Sequence, residues 1–337
     1  MLVRSQLGRH DLNVFEGPTS VRSFLNPENA PYLPLVELPD HLNRFRDDGV
    51  RIFAKLGYLS PLLNIKCLPA LNMLLEAEDA GRLEGVRTLV ENSSGNTAFC
   101  LAVLARLFGI ERVTAFVPFD IAPGKLDMLR LAGVQPHLKR DAPDELSGIE
   151  EAREQGRKAG FFSPSQYENE ANPAAYEKWF APQIWEQTRG KITVFATGLG
   201  TTGTLLGSAR YFQKYSRKIV IVGVMCGANE AVPGVRSEAK LKEIKFDYGR
   251  SADFVMNVKT KDSFKRSLQL CRSGIIAGPS SGFALVGLEQ FLDSRRAQST
   301  LEDLRNEDRE VVSVFVCGDT PLPYLDKYST HLEAAEF

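Results

Sequence analysis

Six short apolar, β-branched runs recur along this chain, at residues 51–54, 87–91, 113–117, 192–196, 218–224 and 311–317. Each is too short for a typical helix and has the continuous apolar character of a strand buried on both faces. Longer stretches of helical spacing lie between them, at 69–81, 96–108, 125–133, 149–159, 204–215 and 282–295. Alternating strand and helix define βαβ units, whose right-handed crossovers put helices on both faces of mostly parallel sheets. The chain is therefore expected to be α/β. Its 337 residues suit about two domains at roughly 150 residues each, and no internal repeat suggests a solenoid or propeller. The Gly- and Pro-punctuated stretch 161–173 is the expected border between strand-rich halves. Ligands in open parallel sheets sit beyond the carboxyl ends of the strands, so function is sought in the turns that follow them.

Composition removes several classes. Lys and Arg (41) balance Asp and Glu (42) with no basic block, so a nucleic-acid partner is not expected. Residues 1–10 carry Arg4 and Arg9 but no apolar leader core, and no stretch approaches the roughly 18 apolar residues of a spanning helix, so no membrane partner is expected either. Cys67, Cys100, Cys226, Cys271 and Cys317 are scattered and never form a CxxC pair. Neither a disulfide framework nor a metal site is expected, and a reducing cytoplasm is the expected location.

Three turns carry chemistry. Gly198-Leu199-Gly200-Thr201-Thr202-Gly203-Thr204 follows the run 192–196 and opens a helix. Glycines there let backbone N–H groups approach an anion, and the helix dipole favours phosphate. The same glycines fit a dinucleotide fingerprint, which requires an acidic residue at the end of the next strand. The chain has Met225-Cys226-Gly227-Ala228 there, so a small terminal phosphate suits the turn better than NAD; a tight turn that binds nothing is the bland alternative. The turn Ser93-Ser94-Gly95-Asn96-Thr97 offers hydroxyls and backbone donors to a carboxylate, or merely caps a helix. Gly278-Pro279-Ser280-Ser281-Gly282, read as preceding a helix from 283, has the same ambiguity. Lys66 lies among apolar neighbours at a helix start, where it either snorkels to solvent or sits in an apolar pocket as a Schiff-base amine.

Taken in order, Lys66, the 93–97 turn, Gly200-Thr201-Thr202-Gly203-Thr204 and Ser280-Ser281-Gly282 resemble the cysteine synthase and cystathionine β-synthase family of fold-type II pyridoxal 5′-phosphate enzymes. The likeness runs from about 33 to 328 and includes the Gln166 to Pro173 segment. It implies a two-domain fold similar to the tryptophan synthase β chain, with a larger domain of 1–56 and 173–337 and a smaller one of 57–172, and a homodimer. It further implies that Lys66 bears the cofactor as an internal aldimine and shuttles the α-proton. Asn96 would meet the ring 3′-oxygen, Gly200 through Thr204 the phosphate, and Ser280 the pyridine nitrogen. Ser93, Ser94, Gly95, Thr97 and Gln166 would hold the substrate carboxylate.

The implied reaction is β-replacement on an activated L-serine derivative, L-cysteine or L-serine through an aminoacrylate, with a nucleophile as second substrate. A serine facing the ring nitrogen makes a weaker electron sink than a carboxylate, which suits elimination better than transamination. Departures leave the leaving group and nucleophile open. Lys66-Cys67-Leu68 stands where cysteine synthases usually read Lys-Asp-Arg, Leu63-Asn64 replaces Gly-Ser, Thr202 takes a glycine position and Ser93 a threonine position. The terminal serine-bearing motif becomes Gly318-Asp319-Thr320-Pro321-Leu322-Pro323-Tyr324-Leu325. Other readings are a β-elimination lyase or dehydratase, an amine-nucleophile branch giving 2,3-diaminopropionate-type products, and a catalytically silent regulatory homologue. Cys67 is either a reactive thiol or a small buried filler.

Overall fold

A computed structural model describes residues 13–140, 147–227 and 229–337. The opening segment 1–10 and Ala228, both used above, lie outside the described residues. Among the described residues, ten strands form two sheets: β1 (Leu35–Glu37), β2 (Val50–Leu56), β3 (Thr88–Asn92), β4 (Arg112–Pro118), β5 (Val134–Lys139), β6 (Phe161–Phe162), β7 (Val194–Gly198), β8 (Val220–Cys226), β9 (Phe254–Val258) and β10 (Val311–Cys317). The larger sheet has the order β1-β2-β10-β7-β8-β9 and the smaller β5-β4-β3-β6. Every pairing is parallel except β1 with β2. The α/β expectation holds, and all six expected strands are present with ends moved by up to two residues.

The parallel strands are apolar throughout because helices cover both faces of each sheet. All seven residues of β10 are buried, between the helix Pro279–Ala297 on one side and the apolar cluster that includes Phe195 and Phe212 on the other. That helix starts three residues earlier than its apolar spacing at 282–295 suggests, because Pro279 at its first position has a backbone preset for helix and no N–H to leave unpaired. Ser280 consequently lies in the first helical turn, not in a loop before it.

Lys55 in β2 is fully buried, and its Nζ donates to Leu33 O (2.6 Å), Gln183 Oε1 (2.9 Å) and Gln187 Oε1 (2.8 Å). Burial pulls its ammonium down to about 7. The lysine depressed by an apolar setting therefore anchors the chain before β1 and lies outside the candidate site.

Gly207 fixes how the helix Gly203–Tyr215, which follows β7, packs. A Cβ there would stand 2.0 Å from Pro173 O and 2.9 Å from Glu177 N, both backbone atoms of the crossing helix Ala171–Trp179. Alanine normally favours a helix over glycine by about 1 kcal/mol. Gly207→Ala is nevertheless expected to destabilise the protein by about 3 kcal/mol, since overpacking against backbone cannot relax by a rotamer change. Urea denaturation of the two proteins side by side checks the sign.

Candidate active site

The two sheets point the ends of β3, β7 and β10 at one cleft. Lys66 caps the helix Cys67–Asp79, and its segment is stitched to the end of β10 by Ile65 N donating to Gly318 O (2.8 Å) and by an Asn64–Asp319 bridge. The side chain is half-buried, neither snorkelled nor sealed in. It lines both halves of the cleft, and its Nζ has no hydrogen-bond or ion-pair partner among the described residues. A free amine at that place is available to a ligand.

The turn after β7 has the shape of an anion cradle. Thr202 sits at φ +66°, a left-handed conformation costly for a β-branched residue, which explains why glycine is usual at that position. Its Oγ1 is buried with no partner among the described residues. Asn172 Nδ2 donates to Thr201 Oγ1 (3.0 Å) and to Gln166 O (2.7 Å). Thr201 accepts in that bond, which leaves its own proton for the cleft. Gly200 is essential for a second reason: a Cβ would lie 2.5 Å from Gly234 O, in the strap that crosses the turn. Thr204 and Gly200 line the cleft with Thr201 and Thr202. Gly203 does not; it is packed on Asn172, whose Oδ1 a Cβ would meet at 2.2 Å.

The turn after β3 opens the helix Asn96–Ala105. Ser93, Ser94, Gly95, Thr97 and Gln166 all line the outer half of the cleft, a cavity of about 320 Å³. Their states differ. Ser93 Oγ accepts from Gly95 N (3.4 Å) and Ala98 N (3.3 Å), and Thr97 Oγ1 donates to Gln166 Oε1 (2.7 Å). Thr97 and Gln166 thus satisfy each other while buried, and the Ser94 hydroxyl and the turn's backbone donors other than Gly95 N remain open to a guest. Behind them Glu91 is fully buried, accepting from Asn92 N and Gln166 N, and burial pushes its carboxyl up to about 7.

Asn96 and Ser280 both reach the inner half of the cleft. Between them stands Asp319, 3% exposed. Its Oδ2 accepts from Asn96 Nδ2 (2.7 Å) and Tyr324 OH (2.6 Å), and its Oδ1 accepts from Ser280 Oγ (3.4 Å). Burial raises its carboxyl, while Tyr324, Asn96, Lys125 and Ser280 act in the opposite sense.

Sequence reasoning missed the basic groups around the outer cavity. Arg236 packs its guanidinium 4.4 Å from the centroid of the Tyr167 ring and donates to Lys240 O (3.0 Å) and Glu243 Oε2 (3.1 Å). Lys125, half-buried opposite, lies over the Tyr324 ring (5.4 Å) without a hydrogen-bond partner among the described residues. Lys240 completes the rim. No motif announces these residues, which lie on loops and helix starts of irregular sequence. Cys67 is buried in the helix core, and burial pushes its thiol up to about 11. It is a small filler, and Leu68 beside it is equally buried.

Comparison with known proteins agrees with this geometry. The chain belongs to the pyridoxal-phosphate dependent enzyme family, whose pattern matches residues 31–316. Within it, cysteine synthase B of Escherichia coli K12 is 30% identical over 242 residues, 72% of this chain and 80% of that protein. Cysteine synthase A of the same organism is 30% identical over 273 residues, covering 75% and 82%. The same fold is found in crystal structures of cysteine synthase from Entamoeba histolytica (TM-score 0.75, 22% identity, 98% and 93% covered) and of O-ureido-L-serine synthase (0.72, 23%, 87% and 90%). The protein is a cysteine synthase-like enzyme, and its cofactor is pyridoxal 5′-phosphate. The residues present fit that group: a partnerless buried hydroxyl and a glycine-lined turn at a helix start suit its phosphate, and a free lysine amine suits its aldehyde.

Proposed function

We propose that this enzyme carries out β-replacement on an L-serine derivative whose β-substituent is anionic, with Lys66 as its catalytic residue. The observation that carries the reading is the convergence, in one cleft, of the unpartnered Lys66 amine, the Gly200–Thr204 cradle and the donors around Ser94. Lys66 would hold the cofactor, Gly200, Thr201, Thr202 and Thr204 its phosphate, and Asn96 and Ser280 its ring; Gly203 shapes the turn. Pyridoxal phosphate, when bound, supplies the electron sink that lets a bond at the amino acid's α-carbon break.

The chain's own groups do the rest. Backbone donors of the 93–97 turn and the Ser94 hydroxyl orient the α-carboxylate, with Thr97 and Gln166 bracing the turn behind them. Lys66 takes the α-proton as its amine, the β-substituent leaves with its electron pair, the nucleophile bonds to the β-carbon, and the proton returns to the α-carbon. Beyond Lys66, the described residues that line the outer cavity include Lys125, Arg236 and Lys240 against one acid, Glu243. One carboxylate is served by the turn, so this surplus of positive charge favours a second anionic group on the donor, such as a phosphate ester. The silent-homologue reading is disfavoured by the intact lysine and cradle. A cytoplasmic homodimer belongs to the same reading; five free cysteines, four of them buried, support a reducing environment.

The test is direct. Purified protein should be yellow, and borohydride should fix the cofactor on the peptide bearing Lys66. O-phospho-L-serine should change the visible spectrum at lower concentration than O-acetyl-L-serine, L-serine or L-cysteine. Colourless protein with no label on Lys66 overturns the reading, and a preference for the neutral acetyl ester overturns the anionic-donor part. A panel of sulfide, amino acids and small amines then names the acceptor.

A further inference from the structure

The role of a serine facing a pyridine nitrogen depends on where its own proton goes. A free hydroxyl can donate to an unprotonated nitrogen, whereas a hydroxyl whose proton is already committed offers only lone pairs and can only accept. In this chain Ser280 Oγ donates to Asp319 Oδ1, and Oδ1 has no other hydrogen-bond partner among the described residues. The other carboxylate oxygen is engaged by Asn96 and Tyr324. The 3.4 Å separation is the longest of the three, as is common for site hydrogen bonds that tighten when the ligand binds.

Two backbone features hold this carboxylate in place. Gly278 N donates to Asp319 O (2.8 Å), joining the end of β10 to the turn that carries Ser280. A Cβ at Gly278 would stand 2.5 Å from Asp319 Oδ1, so the absence of a side chain there is what leaves the carboxylate room beside Ser280. Burial raises the Asp319 carboxyl above its usual range; against it, Tyr324, Asn96 and Ser280 through hydrogen bonds and Lys125 through its charge favour the ionised form.

We propose that Asp319 is a positioning residue that acts through Ser280 to keep the cofactor's ring nitrogen protonated, giving a chain from carboxylate to hydroxyl to N–H. The proposal rests on the reading of Ser280 as the ring-nitrogen partner. The balance is simple: the nitrogen takes one proton from solvent when the cofactor binds, the Ser280 proton stays on the Asp319 side, and no bond to carbon changes. The consequence reverses the sequence-based expectation of a weak electron sink, because a protonated ring draws charge from the α-carbon more strongly than a neutral one. Asp319 lies in the segment that departs from the family's serine-bearing motif, so the departure has a chemical meaning.

The experiment is nitrogen-15 NMR of holoenzyme loaded with cofactor labelled at the ring nitrogen, for wild type, Asp319→Asn and Ser280→Ala. The wild-type resonance should lie at the protonated position. In both variants the ratio of protonated to neutral nitrogen should fall by about tenfold or more, one unit of ring pKa or greater. Borohydride labelling of Lys66 in the same samples separates the two levels of the argument. A wild-type nitrogen that is neutral while Lys66 is labelled overturns the relay alone, as does an Asp319→Asn resonance that does not move. An absence of label on Lys66 overturns the site reading itself and the relay with it. Should Asp319→Asn not take up cofactor, the comparison of wild type with Ser280→Ala decides: an unmoved resonance there overturns the relay, a tenfold fall supports it.

Discussion

Lys66→Ala is expected to lower turnover by about 10³-fold or more, while the protein melts within a few degrees of wild type. A positioned proton carrier alone contributes roughly 10²–10⁴-fold, and here the same amine is also the covalent anchor for the cofactor. The fold should tolerate the change because the Lys66 Nζ has no partner to orphan among the described residues and its neighbours Ile65, Cys67 and Leu68 supply the packing. Added small primary amines should restore part of the activity, which a merely unfolded variant would not show. Turnover retained at wild-type level would remove Lys66 from the mechanism.

The second large effect concerns donor choice. Arg236→Met should reduce kcat/KM for O-phospho-L-serine by about 10- to 100-fold, the scale of one or two lost hydrogen bonds to a charged group at roughly 1.5–3 kcal/mol. Activity toward O-acetyl-L-serine should change little. Methionine keeps the bulk of the arginine stem and offers a thioether to the Tyr167 ring in place of the guanidinium that packs there, so the two substrates separate charge from shape. The Arg236 side chain is only 16% exposed and is paired with the more exposed Glu243, which makes Glu243→Gln informative in the opposite direction: it frees the guanidinium and should improve use of the anionic donor. Equal losses on both donors would show that Arg236 shapes the cleft without reading charge.

The expected strands were found because each lies inside a sheet, where burial on both faces leaves an unbroken apolar run. The strands overlooked lie at sheet edges or are very short. β5 contains Pro136 and His137 and buries only Val134, and β9 shows Phe254 and Val255 to solvent. An edge strand needs neither continuous apolar residues nor a full set of N–H donors, so it carries little periodic signal. The helix start at Pro279 was misjudged for a related reason: Ser280 and Ser281 look like capping residues, yet the cap position is Gly278.

For the site, the sequence by itself determined the cradle at Gly200–Thr204, the turn at 93–97 and the amine at Lys66. These are local devices, in which glycines, hydroxyls and a strand-to-helix change within a few residues dictate the backbone. Only the tertiary structure decided how they are partnered. Thr97 is satisfied by Gln166, 69 residues away; Asn96 and Ser280 meet Asp319 from 223 and 39 residues away. It also decided that Arg236 and Lys125 face one cavity. Such contacts depend on how two sheets and their helices pack against each other, and a side-chain hydrogen bond or a shared electric field across that distance leaves no spacing in the chain to be read.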